Sequence, residues 1–521
     1  MTPAFNLLDE PWIPVRTHAG QVFDINLGDA LLKARDYAAL AETSPPNLIA
    51  LYRLLLAMLH RALTTQHGKW NDADRARWFR EGLPEAPILA YLAQWRERFW
   101  LFHPTEPFMQ VAALAEDEET RERNKAWTQV VVEKPSPSEP AIFDHAIESA
   151  PVSALPQEVL RNTLGYFQFV VGKLVQSVKT SDKAGPLVNT AAVLPVGANL
   201  SETLLLGLHP YAANRMDDLP SWERPVPTMA ALRAEPTLAT GWNDRYTRLS
   251  RAVLFVRDCE SERLRHIRFA AGIALNEDPN APDPMACYRI NKEGKAIRVS
   301  FGEGRAIWRD LPSLVPDPGH SHDIPAAILG WAANLYNALG QWDVPVQILT
   351  AGLASDQAKL LRWRAERIEM PQALLTQPDA AGFLRMQVRL AEEVYAGLRN
   401  VFSDLIAQTM PDPKHKDTRS RARDILSNGP AAAVFFSTAE RALPELMRQI
   451  ATGDIECADR DWRTTLIDAA NRACTATRQS LGDSPAVLRA DARTWPRFRS
   501  VLKTLIPLAA EAAPTTEEVA A

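Results

Sequence analysis

The chain has 521 residues, 46% of them hydrophobic and 23% charged, with a formal net charge of −5. That length exceeds what one simple core fills, so two domains are expected, and the composition is that of a soluble globular chain. No apolar run of about 18 residues is evident, which argues against a membrane span, and Asp9 and Glu10 stand where an export signal needs basic and apolar residues. Cys259, Cys287, Cys457 and Cys474 are scattered and never form Cys-x-x-Cys, so a reducing cytoplasm is expected rather than a disulfide framework or zinc ribbon.

Pro11 and Pro14 around Trp12 and Ile13 forbid a helix and predict an extended, core-anchored start. Val15, Thr17, Val22 and Ile25 around His18-Ala19-Gly20 predict a short hairpin. A buried helix is predicted over 47–64, started by Ser44-Pro45-Pro46, and a second, rich in Arg and Trp, over 73–98. Residues 116–122 read as an acidic solvated run and 134–140 as a proline-rich loop. A further helix is expected over 157–178, followed by a polar loop with Lys179 and Lys183.

Strands are expected at 187–196 and 252–257. Residues 287–290 and 296–301 form a predicted hairpin whose tip, Asn291-Lys292-Glu293-Gly294-Lys295, is basic. From Ile324 onwards helical patterns dominate. Leu384, Val388, Ala391, Tyr395, Leu398, Phe402 and Leu405 make a seam over about 30 residues. Further helices are read at 419–426, at 430–450 with Pro444 inside, at 461–480, and at 486–505 interrupted near Pro496. The fold class is therefore α+β: a mixed N-terminal domain over 1–370, a four-helix-type bundle over 371–510 and a frayed tail over 511–521.

Phosphate-binding glycine loops, zinc-protease helices and nucleophile elbows are not found in the sequence, so no catalytic residue, metal or cofactor is assigned. His320, His322 and Asp323 lie close together, and a metal-dependent phosphohydrolase is the runner-up reading, with a solvated turn the plainer account. A non-catalytic helical scaffold is a third. Arginine is concentrated at Arg245, Arg248, Arg251, Arg257, Arg263, Arg265 and Arg268, followed by Arg289, Lys292, Lys295 and Arg298. Its planar fork suits phosphate, although an ion-paired solvated face is the plainer account of such a run. Residues 351–359 read as a loop in which Ser355 or Asp356 caps a helix entering the bundle.

Asn6-Leu7-Leu8-Asp9-x-x-Trp12-Ile13-Pro14-Val15 and, in register with it, Pro107-Phe108-Met109-Gln110 resemble the N-terminal motifs of the CasA family, the large subunits of type I-E CRISPR Cascade complexes. The resemblance follows the order of elements along essentially the whole chain. It implies a protein without an active site that recognises the protospacer-adjacent motif (PAM) in double-stranded DNA and helps open the duplex for R-loop formation. Implied partners are the other Cascade subunits, the 5′ handle of the guide RNA and a recruited helicase-nuclease. The family's wedge loop maps onto Asp356, Gln357 and Ala358, with Asp in place of the family's Asn. The glycine-rich PAM loop falls at 178–186, where Lys179 and Lys183 stand and only Gly185 is glycine. The lysine that enters the minor groove maps to Arg265 or Arg268, and a basic pair beyond it to Asn291 and Lys292, with Lys295 on the same tip.

Overall fold

The computed structural model describes residues 3–132, 151–174, 177–179, 181–257, 262–318, 322–356 and 359–506. The chain is α+β and forms two compact units: Met1–Ile307 with Asp317–Gln372, and Trp308–Pro316 with Ala373–Ala521.

The first unit opens with the expected hairpin, β1 (Ile13–Thr17) and β2 (Val22–Ile25), with β3 (Tyr37–Leu40) on the other side of β1. Gly20 at the turn has φ +84°, a conformation that costs glycine nothing. Trp12 is fully buried, and its indole donates to Leu7 O at 3.2 Å, which fixes the entry of the chain. Helix α1 (Pro45–Ala62) places its prolines in the first turn, where the missing N–H groups would be unpaired anyway. The segment Pro45–His67 is long and apolar enough to cross a bilayer, contrary to the sequence reading, but its apolar window is 89% buried within the fold.

The helix expected over 73–98 is two. α2 (Asp72–Glu81) is capped reciprocally by Asn71 and Asp74 and ends at Gly82, whose φ is +111°, and Pro84 precedes α3 (Glu85–Gln94). After the short strand β4 (Asn124–Ala126), α4 (Pro156–Phe169) is shorter than expected, because Val170, Val171 and Gly172 are poor helix formers.

Strand β5 (Ala191–Val196) is wholly buried. Strands β6 (Arg251–Arg257) and β7 (Leu264–Ala271) pair with each other, and β7 also pairs with β4. The predicted basic hairpin is β8 (Tyr288–Ile290) and β9 (Ala296–Arg298). Helix α5 (Ala327–Leu339) follows, and then comes the largest departure from the sequence reading. The described part of the expected loop, residues 351–356 and 359, does not lead into a helix. It belongs to an antiparallel pair, β10 (Val346–Asp356) and β11 (Lys359–Met370), in a sheet ordered β11-β10-β5. Ala365, Arg367 and Glu369 are exposed and their neighbours on β11 are not, the period of two that a half-buried strand requires.

A buried ionic cluster ties this unit together. Arg53 of α1 is fully buried, pairs with Asp283, donates to Gln168 Oε1 of α4 at 2.8 Å and lies 4.6 Å from the Tyr246 ring centroid. Burial opposes the charge on Asp283, but the Arg53 and Arg245 guanidinium groups outweigh it and hold the carboxyl below its ordinary range.

The second unit is helical: α6 (Pro378–Gln408), α7 (Lys416–Ser427), α8 (Ala431–Ala451), α9 (Ile455–Leu481) and α10 (Pro485–Lys503). α8 packs along α9, and α6 touches all the others. At about 1.5 Å per residue α6 is roughly 46 Å long. Trp308, from the inserted segment, packs its ring 6.1 Å from Phe436 and 6.4 Å from Trp462. Arg309 beside it pairs with Glu392 at 2.7 Å and covers the Phe436 ring at 3.4 Å. Pro496 does not interrupt α10 as expected. It is exposed, as is Ala492, so the carbonyl its ring leaves without a donor faces water.

Candidate nucleic-acid interface

β5 pairs with β10 only from Gln347 to Gly352. Beyond that, Leu353–Asp356 and Lys359–Trp363 continue as a two-stranded arm with a bulge between Ala354 and Ser355. At about 3.3 Å per residue the arm extends roughly 13 Å past the sheet. Gly352 stands at its root, where a Cβ would lie 2.1 Å from Thr190 O, so only glycine lets the strands come this close. Gln357 and Ala358 lie outside the described residues, and Asp356 and Lys359 are the last pair before them.

The β8–β9 tip is a turn built on one side chain. Asn291 Oδ1 accepts from Glu293 N at 3.0 Å and Lys295 N at 2.8 Å, and Gly294 takes φ +76°. The turn holds Lys292 and Lys295 in solvent with Glu293 between them. At the base of β9, Arg298 pairs with Glu277 at 2.7 Å and donates to Val188 O at 3.2 Å.

The arginine run divides into two classes, which corrects its reading as one charged face. Arg245, Arg248 and Arg251 are buried. Arg245 pairs with Glu277 at 3.2 Å, and Arg248 with Asp244 at 2.7 Å. Arg251 donates to the carbonyls of Lys183, Ser250 and Val171 at 2.6–3.0 Å. These three hold the fold. Arg265 and Arg268 reach the surface on β7. Arg265 is the extra residue at a bulge, since Val256 pairs with His266 and Arg257 with Leu264. Arg268 donates through Nε to Arg121 O at 2.9 Å and stands opposite Asn124 of β4, which brings Lys125 into the same sheet. Nothing in the sequence pattern singles out Arg121, inside the acidic run, or Lys125, just beyond it. Lys179 is half-buried and donates to Ala234 O at 2.6 Å, whereas Lys183 is exposed.

One stretch links these elements. Ser177 O accepts from Ala271 N at the end of β7, and Lys183 O from Arg251 at the start of β6. Val188 O accepts from Arg298 of β9, and Ala191 N donates to Val299 O at 2.8 Å. Ala191 also pairs with Gly352 at the root of the arm. The bases of the arm, the basic hairpin and the β6–β7 pair therefore all rest on the stretch running from Ser177 to Ala191. Gly185 serves packing, because a Cβ there would lie 2.6 Å from the carbonyls of Phe167 and Gln168 at the end of α4.

Of the histidine cluster, only His322 and Asp323 are described. His322 N and Asp323 N both donate to Asp317 Oδ2, at 2.8 and 3.0 Å, and His320 lies outside the described residues. Among the described residues no group of three or more His, Cys, Asp or Glu side chains could hold a metal ion.

Comparison with known proteins bears on what this arrangement does. The family model for CRISPR-associated protein Cse1 matches residues 6–473. A CasA/Cse1 protein of Thermus thermophilus is 33% identical over 511 residues, covering 96% of this chain and 98% of its own length. A solved structure of Thermus thermophilus CasA superposes with TM-score 0.83 at 30% identity, over 96% of this chain and 100% of that one. A chain of a CRISPR RNA-guided surveillance complex shares the fold, with TM-score 0.67 at 20% identity, over 97% of this chain and 100% of that chain.

Proposed function

The chain belongs to the CRISPR-associated Cse1 (CasA) family, and on that premise we propose that it is the large subunit of an RNA-guided surveillance complex that reads the PAM and starts R-loop formation. Its partners are the other Cascade subunits, the 5′ handle of the guide RNA, the target duplex and a helicase-nuclease that does the cutting. The subunit itself is not an enzyme, and it works in the cytoplasm.

The observation that carries this reading is the two-stranded arm ending at Asp356 and Lys359, rooted on the same residue, Ala191, that meets the base of the Lys292–Lys295 hairpin. A duplex held by the basic hairpin and β7 would be presented to the tip of the arm. Base pairing with the guide reads the sequence, while the protein reads a short duplex signal and holds backbones. Because the exchange of DNA pairing for guide pairing is nearly balanced, the step that needs help is the first unpairing, which costs a few kcal/mol per step. Gln357 suits that step: it is long and uncharged, so it can hydrogen-bond an exposed base edge without repelling phosphate. Arg268 or Arg265 approaches the minor groove, whose degenerate pattern would admit several PAMs.

Co-purification tests the assembly. The chain expressed with the other subunits and a guide RNA should co-elute with them, and the complex should bind a PAM-bearing duplex that the complex lacking this chain does not. A chain that stays apart from the guide-bound subunits would contradict the reading.

A further inference from the structure

Helix α10 carries a feature the proposed function does not use. α10 buries Val487, Ala490, Thr494 and Phe498 as one stripe, with the Phe498 ring 6.3 Å from Phe402 of α6. Over 485–503 it holds five cations, Arg489, Arg493, Arg497, Arg499 and Lys503, and one carboxylate, Asp491. At 3.6 residues per turn all but Arg497 fall within about 120° on the side away from that stripe. All five are exposed. Asp491 does not neutralise them, because it pairs with Arg478 of α9 at 3.3 Å. Arg497 is taken by Asp404 at 2.7 Å, and Arg493 reaches Gln408 at 3.4 Å. Arg489, Arg499 and Lys503 have no ion pair among the described residues. One turn before Arg499 stands Trp495, 45% exposed although its ring stacks on Phe498 at 5.3 Å.

We propose that this face of α10 is a second nucleic-acid-binding surface, for a single strand. Cations spread over about 21 Å of helix span several phosphates. Arg supplies four of the five, and its fork matches phosphate oxygens. An exposed indole beside such a row offers a platform on which a base can stack whatever its identity. A duplex hides its base faces and would leave Trp495 unused. The exposed Lys416, Arg419 and Arg423 of α7 lie at i, i+3 and i+7, on one face of that helix.

The test is fluorescence anisotropy of the full chain with a labelled 20-nucleotide single-stranded DNA, the RNA of the same sequence and the corresponding duplex, across a salt series. The triple variant Arg489→Gln/Arg493→Gln/Arg499→Gln should lower the single-strand salt slope by about 2, at roughly 0.7 per phosphate contact. Arg→Lys at the same positions should restore it. Trp495→Ala should weaken single-strand binding roughly tenfold with the slope unchanged, and leave duplex binding alone. Equal losses with DNA and RNA mark a surface for either strand, and a loss with one alone names the strand. Lys292→Ala/Lys295→Ala separates this surface from the first unit, since it should impair duplex binding and spare the single-strand slope. A triple variant with the wild-type slope would overturn the proposal. So would one that binds single strands normally but no longer co-purifies with the other subunits, because the face would then dock an acidic protein.

Discussion

Gly352 and Thr190 touch where a side chain cannot fit: a Cβ on Gly352 would lie 2.1 Å from the Thr190 carbonyl oxygen. That contact sets the point at which β10 leaves the sheet and the arm begins. Gly352→Val should force the strands apart, lowering stability in urea by about 1–3 kcal/mol. In the assembled complex it should also slow opening of a paired target. Unchanged stability and opening would mean that the arm is not held by this contact.

The two classes of arginine predict two kinds of failure. Lys292→Ala/Lys295→Ala should lower the salt slope of duplex binding by the complex by about 2, at roughly 0.9 per phosphate, with little change in melting temperature. Arg268→Ala should flatten discrimination between PAM and non-PAM duplexes. Arg251→Met, which strips three backbone carbonyls of a buried donor, should lower the melting temperature instead. A stable Arg251→Met protein with weakened DNA binding would contradict the division.

Burial of two stacked histidines predicts acid sensitivity. The rings of His60 and His209 lie 3.7 Å apart at 22°. Burial pushes His60 from 6.5 down to about 3, helped by Arg61, and burial followed by the neighbouring His60 holds His209 well below its ordinary value. Both must fold neutral, while the unfolded chain takes up protons below its value near 6.5. The stability is therefore complete above that pH and falls as pH drops towards 3. Between pH 7 and pH 5 the His60 ring should cost about 2 kcal/mol, and His209 adds a loss in the same direction. His209→Phe should lessen the fall measured by urea unfolding, and an unchanged pH dependence would place the titration elsewhere.

Much of this was legible in the sequence where the pattern was local. Asn291-Lys292-Glu293-Gly294-Lys295 between short alternating runs described its own hairpin, and the seam of α6 described its own helix. The β10–β11 pair was not legible, because β10 is buried from Ile348 to Gly352 and so lacks alternation, and its small residues resemble a loop. The buried arginines were not either. Arg245 and Arg251 are held by Glu277, Asp283 and the Lys183 carbonyl, and nothing in a run of like residues says which of them will meet such partners. The passage of Trp308–Pro316 into the second unit is likewise a property of packing. Gln357 entered through family resemblance, not through periodicity.

Strand opening by Gln357 is the most direct test of the account. The measurement compares R-loop formation by complexes carrying wild-type or Gln357→Ala protein on two PAM-bearing targets, one fully paired and one with the first few positions beside the PAM already unpaired. Unpairing, at a few kcal/mol per base step, is the step proposed for the side chain, so the variant should assemble normally, fail on the paired target and recover on the open one. Equal defects on both targets, or none on either, would contradict it.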